Sequence, residues 1–100
     1  MKILFVEPGK EAQPAEIEEN LKAMQAIVGG RIETLYPWED PVALISNEEG
    51  KLLRLPLNRT LEDYDIIAGN FFICGIEGER FVSLSDKLMI KYQEKFRYPE

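Results

Sequence analysis

Residues 66–76 read IIAGNFFICGI. The run is apolar and long enough for a strand, and Gly69 gives it one place to break or bend. Gly78 marks a turn, and residues 81–96, FVSLSDKLMIKYQEKF, follow it. There Leu84, Leu88, Tyr92 and Phe96 recur every four residues, the repeat of one helical face. Ser83 and Asp86 have the spacing of a capping box, with Asp in place of the usual Glu or Gln. The C-terminal third therefore reads as strand, turn and helix, and the fold class depends on what the upstream residues add.

Working back toward the N-terminus, residues 3–6 form a β-rich apolar run closed by the turn residues Pro8 and Gly9. A nearly all-apolar strand of this kind belongs at the centre of a sheet, with both faces covered. In QPAEIEENLKAMQAIVGG, Ile17, Leu21, Met24, Ile27 and Val28 fall on one helical face. Pro14 suits a first turn, acidic Glu16, Glu18 and Glu19 suit a helix start, and Gly29 and Gly30 supply the cap. Ile27 is expected in the core. Residues 31–36, RIETLY, read as a second strand, and residues 42–46 as a third. NEEG has turn chemistry, which predicts that KLLRLP returns antiparallel to the third strand as a hairpin. LNRTLEDYD, residues 57–65, reads as a polar connection. The order is β-α-β-β-β-β-α over one domain, residues 1–100. That is an α+β domain with a mixed, mostly antiparallel sheet and two helices packed on it.

Composition narrows the chemistry. The chain has 100 residues, 45% of them hydrophobic, enough to bury one core. It has no histidine, which removes the usual general base, metal ligand and pH switch together. Its single cysteine, Cys74, lies inside FFICGI, where a small buried thiol is the default. The net charge of −6, with no basic run, argues against a phosphate-backbone partner. MKILFVEPGK has four consecutive apolar residues, too few for a signal-peptide core or a membrane span. A cytoplasmic chain is expected, with no cofactor, metal, nucleic-acid or membrane partner. No glycine-rich phosphate loop, nucleophile elbow or zinc pattern is present, so nothing argues for an enzyme.

Two stretches hold candidate binding residues. In YPWEDP, Tyr36, Trp38 and Asp40 offer aromatic area with a polar handle between stiffening prolines, suited to a protein partner. The alternative is that Trp38 covers one end of the core. In residues 47–59, NEEGKLLRLPLNR, the polar groups are Asn47, Asn58 and Arg59. The guanidinium of Arg59 suits a small anionic ligand or nucleotide, or else the backbone carbonyls of its own domain.

KILFVEPGK, YPWEDPVALISNEEGKL, LPLNR and DIIAGNFFICG together resemble a family of short proteins known as the domain of unknown function numbered 3846. The matching positions include Pro8, Gly9, Tyr36, Pro37, Asp40, Pro41, Asn47, Glu48, Gly50, residues 55–59 and Gly69. The resemblance implies a setting in Firmicutes and their phages, plasmids and conjugative elements, and with it an accessory or anti-defence role. It implies no activity. The leading expectation is a non-enzymatic protein-binding module. A binder of small anions through Asn47, Asn58 and Arg59 is its rival.

Overall fold

The computed structural model describes residues 1–62 and 65–100. Its strands are β1 (Lys2–Val6), β2 (Gln13–Glu16), β3 (Ile32–Leu35), β4 (Val42–Asn47), β5 (Leu57–Leu61), β6 (Asp65–Ala68), β7 (Phe71–Glu77) and β8 (Arg80–Val82). Its helices are α1 (Leu21–Val28) and α2 (Asp86–Lys95). The expected order survives as the frame β1-α1-β3-β4-β5-β7-α2, with β2, β6 and β8 added to it. The larger sheet runs β2-β1-β7-β4-β3, with β8 also on β7, and β5 and β6 form a separate pair. Every described pairing is antiparallel.

The IIAGNFFICGI run breaks at Gly69, as its glycine predicts. β6 ends at Ala68, Gly69 takes φ +85°, and β7 starts at Phe71. A side chain is disfavoured there by the positive φ, and Leu55 Cδ1, 2.7 Å from where a Cβ would lie, would have to move aside. β7 is the central strand. It is flanked by β1 and then β8 on one side and by β4 on the other.

Alternation along these strands makes two cores. Leu4, Val6, Val42, Leu44, Phe71 and Ile73 face α2 and the β5–β6 pair, which contribute Leu61, Ile67, Met89, Tyr92 and Phe96. Ile3, Ala43, Ile45, Phe72 and Cys74 face α1, which contributes Met24 and Val28. Both Phe71 and Phe72 are wholly buried, one in each core. Burying a side chain of that size stabilises by about 1.5–3 kcal/mol. Ile27, expected in the core, is only half-buried at its edge.

Several boundaries differ from the sequence reading, each for a local reason. Residues 13–16 are not the first helical turn but edge strand β2, where Pro14 faces Leu4. The helix starts later because the Asn20 side chain accepts from Ala23 N–H at 2.8 Å and caps it. In α2 the cap is Ser85, which accepts from Leu88 N–H, while Ser83 Oγ instead accepts from Lys2 N–H. The expected hairpin of β4 with KLLRLP does not form. Leu53 N–H donates to Glu49 O, Arg54 N–H to Lys51 O and Leu55 N–H to Gly50 O, so residues 48–54 coil into turns. Arg54, at φ +56°, ends that coil. The strand pairing with β4 is β3 on one side and β7 on the other. The expected polar connection at residues 57–65 is strand β5 as far as Leu61, and Asp63 and Tyr64 in it lie outside the described residues.

Gly50 is the tightest point of the coiled turn. A Cβ there would lie 2.5 Å from the carbonyl oxygen of Ala68. Gly50→Ala should therefore force the turn away from β6, at a cost of about 1–3 kcal/mol in urea unfolding.

Candidate functional site

Asn58 and Arg59 are consecutive in β5, yet they are 1% exposed each. Simple alternation would put one of them in water. The β5–β6 register shifts between Leu57 and Thr60, and such an irregularity lets neighbouring residues turn inward together.

The Arg59 guanidinium spans three segments. Its Nε and one terminal nitrogen donate to Phe96 O at 3.1 and 2.9 Å. The same terminal nitrogen donates to Lys10 O at 2.6 Å. The other terminal nitrogen donates to Asn58 Oδ1 at 3.0 Å and more weakly to Glu7 O at 3.5 Å. Five contacts match the five N–H groups of the fork. Phe96 is the C-cap of α2, so Arg59 supplies a donor to a carbonyl at the negative end of that helix. Burial pulls the Arg59 pKa down, opposed by the nearby Glu100 carboxylate. An arginine so placed keeps its charge. Asn58 completes the cluster. Its amide donates to Val6 O at 3.0 Å and Gly69 O at 2.8 Å.

Asn47 works alone at another corner. Its amide donates to Val28 O at 3.1 Å, and its oxygen accepts from Glu49 N–H at 2.8 Å. It thus joins the end of α1 to the start of the coiled turn. Asn47, Asn58 and Arg59 do not converge on one opening, and each is bonded to the domain's own backbone. No buried side-chain nitrogen or oxygen among the described residues lacks a partner. Asn58 and Arg59 are turned wholly inward, while Asn47 also lines a cavity with Glu48, Gly50, Lys51 and Asp65.

The YPWEDP loop is docked rather than displayed. Trp38 stacks at 4.7 Å from Tyr92 and 5.9 Å from Phe96, and its indole N–H donates to Glu62 at 2.6 Å. Asp40 accepts from Lys91 Nζ at 2.6 Å and from the Tyr92 hydroxyl at 2.7 Å. Those two bonds hold its carboxyl below the ordinary value of 3.8. Glu62 is lowered too, by Lys95 first and Trp38 second. Burial, and then the Asp40 carboxylate, push the Tyr92 hydroxyl up. Tyr36 is the exception, 60% exposed.

Sequence reasoning placed Leu52 and Leu53 in a strand; they stand in water on a turn instead, at 78 and 55% exposure, and Leu57, read as part of a connection, is the 59% exposed first residue of β5. The signal available was Gly50 followed by four residues and then Leu55-Pro56, a length suited to a coiled turn. Cys74 is inert, its thiol pushed up to about 12 by burial. Among the described residues no group of three or more His, Cys, Asp or Glu side chains is placed to hold a metal ion. No described helix is long and apolar enough to cross a membrane.

Fold and site together define a small antiparallel α+β domain whose buried polar groups clasp its own backbone. Residues 1–97 match the Domain of unknown function (DUF3846), and the chain belongs to that family. No curated protein and no solved structure matches it.

Arg59→Ala should lower stability by about 2–4 kcal/mol in urea unfolding, because it strands three carbonyls, one of them at a helix end. Arg59→Lys should restore less than half, since a point charge cannot replace the planar fork.

For Asp40 the folded carboxyl titrates below the unfolded one. Its pairing is fully present above the ordinary value and is lost as pH falls through the folded value. Wild type should thus lose more Tm than Asp40→Asn between about pH 5 and about pH 2.

Proposed function

We propose that this domain is a non-enzymatic accessory module that binds a protein partner through the coiled turn after β4. The observation that carries the reading is the exposed pair Leu52 and Leu53, at 78 and 55%. They sit on a turn that Asn47 and Gly50 hold in place, with exposed Leu57 following. A fixed turn that presents apolar side chains loses little entropy on binding, which is how an anchor gains affinity. The inward commitment of Asn47, Asn58 and Arg59 supports a protein partner over a small anion. The high pKa of the Cys74 thiol supports a role without covalent catalysis. The cytoplasm, on a mobile element, is the proposed setting.

A pull-down from host lysate, comparing wild type with Leu52→Asp/Leu53→Asp, tests the reading. The double variant should lose the partner that wild type retains, with an unchanged circular-dichroism melt. Equal recovery by the two proteins would overturn it.

A further inference from the structure

The two end strands of the larger sheet's main path, β2 and β3, differ. β2 carries Pro14, which has no N–H to offer an incoming strand. β3 has no such guard. Arg31 O accepts from Glu48 N–H, which sets the phase of the β3–β4 ladder. By alternation Arg31, Glu33 and Leu35 turn their backbone groups toward β4, and Ile32 and Thr34 turn theirs outward. Among the described residues nothing pairs with those outward groups.

The side chains favour one occupant of that edge. Arg31 and Glu33 are both exposed, and neither makes an ion pair among the described residues. Three antiparallel self-registers bring the outward groups of Ile32 or Thr34 against a second copy; in the one centred on Ile32 the two Ile32 residues bond each other, and Thr34 lies opposite Gly30, whose N–H already donates to Gln25 O at 3.1 Å. Centred on Glu33, the register sets two carboxylates against each other. Centred on Thr34, it sets Glu33 against Leu35 and Arg31 against Pro37. Centred on Ile32, it sets Arg31 of each copy against Glu33 of the other, twice by symmetry. Those are non-hydrogen-bonded positions, where cross-strand side chains lie closest.

We propose that β3 is a self-pairing edge: two copies of the chain join antiparallel, Ile32 against Ile32, with two reciprocal Arg31–Glu33 ion pairs. The interface is isologous and closes at two copies, since each β3 has one free side. It extends the sheet across the dimer and leaves the Leu52–Leu53 turn to other partners.

Sedimentation velocity over a concentration series reads the association, and circular dichroism checks the fold of each variant. Wild type should pass from monomer to dimer as concentration rises to the millimolar range. Arg31→Glu should weaken the dimer about tenfold or more, by turning two attractions into repulsions. Arg31→Glu/Glu33→Arg should recover it to within about threefold. Leu52→Asp/Leu53→Asp should leave it unchanged. A wild type that stays monomeric at every concentration overturns the proposal. So does a dimer that survives Arg31→Glu, a charge swap that does not restore it, or a dimer lost with the leucines.

Discussion

One buried guanidinium ties the ends of this fold together. Arg59 reaches the turn after β1 through Glu7 and Lys10, and the last turn of α2 through Phe96. Desolvating a cation is costly; among the described residues no carboxylate pairs directly with Arg59, and Glu100 offsets the cost only from a distance. What makes the burial tolerable is a full set of carbonyl acceptors, one of them at the negative end of a helix. The guanidinium also consumes carbonyls that burial would otherwise orphan. Asn58 extends the same arrangement to Val6 and Gly69, where β1 ends and where the chain passes from β6 to β7. The β5–β6 pair is thereby fixed over one face of the larger sheet. That face could not be closed by apolar contact alone with its connections in register.

The outcome reverses a common arrangement. Polar side chains grouped in one stretch, Asn47 to Arg59, invite a ligand reading, while the leucines between them invite a core reading. Here the polar ends point in, and Leu52, Leu53 and Leu57 point out. The YPWEDP loop shows the same economy. Its tryptophan and aspartate secure the loop to α2 through Tyr92, Lys91 and Glu62, and leave Tyr36 as its exposed aromatic. Leu52 and Leu53 stand exposed on the coiled turn, and an open edge lies at β3.

The elements legible in the sequence are those with a strong period or a backbone constraint. The four-residue repeat through Leu84, Leu88, Tyr92 and Phe96 gave α2 its inner face. Gly69 gave the break before β7. The apolar run at residues 3–6 read as a covered strand, and β1 is covered on both faces. What was hidden depended on contacts distant in sequence. Residues 13–16 have helix-start composition, but they pair with β1, and only the Asn20 cap reveals where the helix begins. KLLRLP alternates well enough for a strand, but local turn bonds around Gly50 outcompete it. The site was legible as residue types and not as directions. Arg59 was separable into clasp or ligand group only by where its fork points. No alternation rule predicts two adjacent inward side chains at a bulge.

The position of β7 has a kinetic consequence. Its neighbours β1 and β4 precede it by long stretches of chain, with Leu4 opposite Ile73 and Ile45 opposite Phe72. During synthesis both wait beside an empty central slot until residues 71–77 have left the ribosome. Among the described residues the early partnerships are β1 with β2, β3 with β4 and β5 with β6, three two-stranded pairs that are marginal alone. Assembly is therefore dominated in its decisive step by non-local pairing, the regime in which small domains fold in milliseconds to seconds. In that interval the edges of β1 and β4 stand open, and the net negative charge of −6 keeps nascent chains apart.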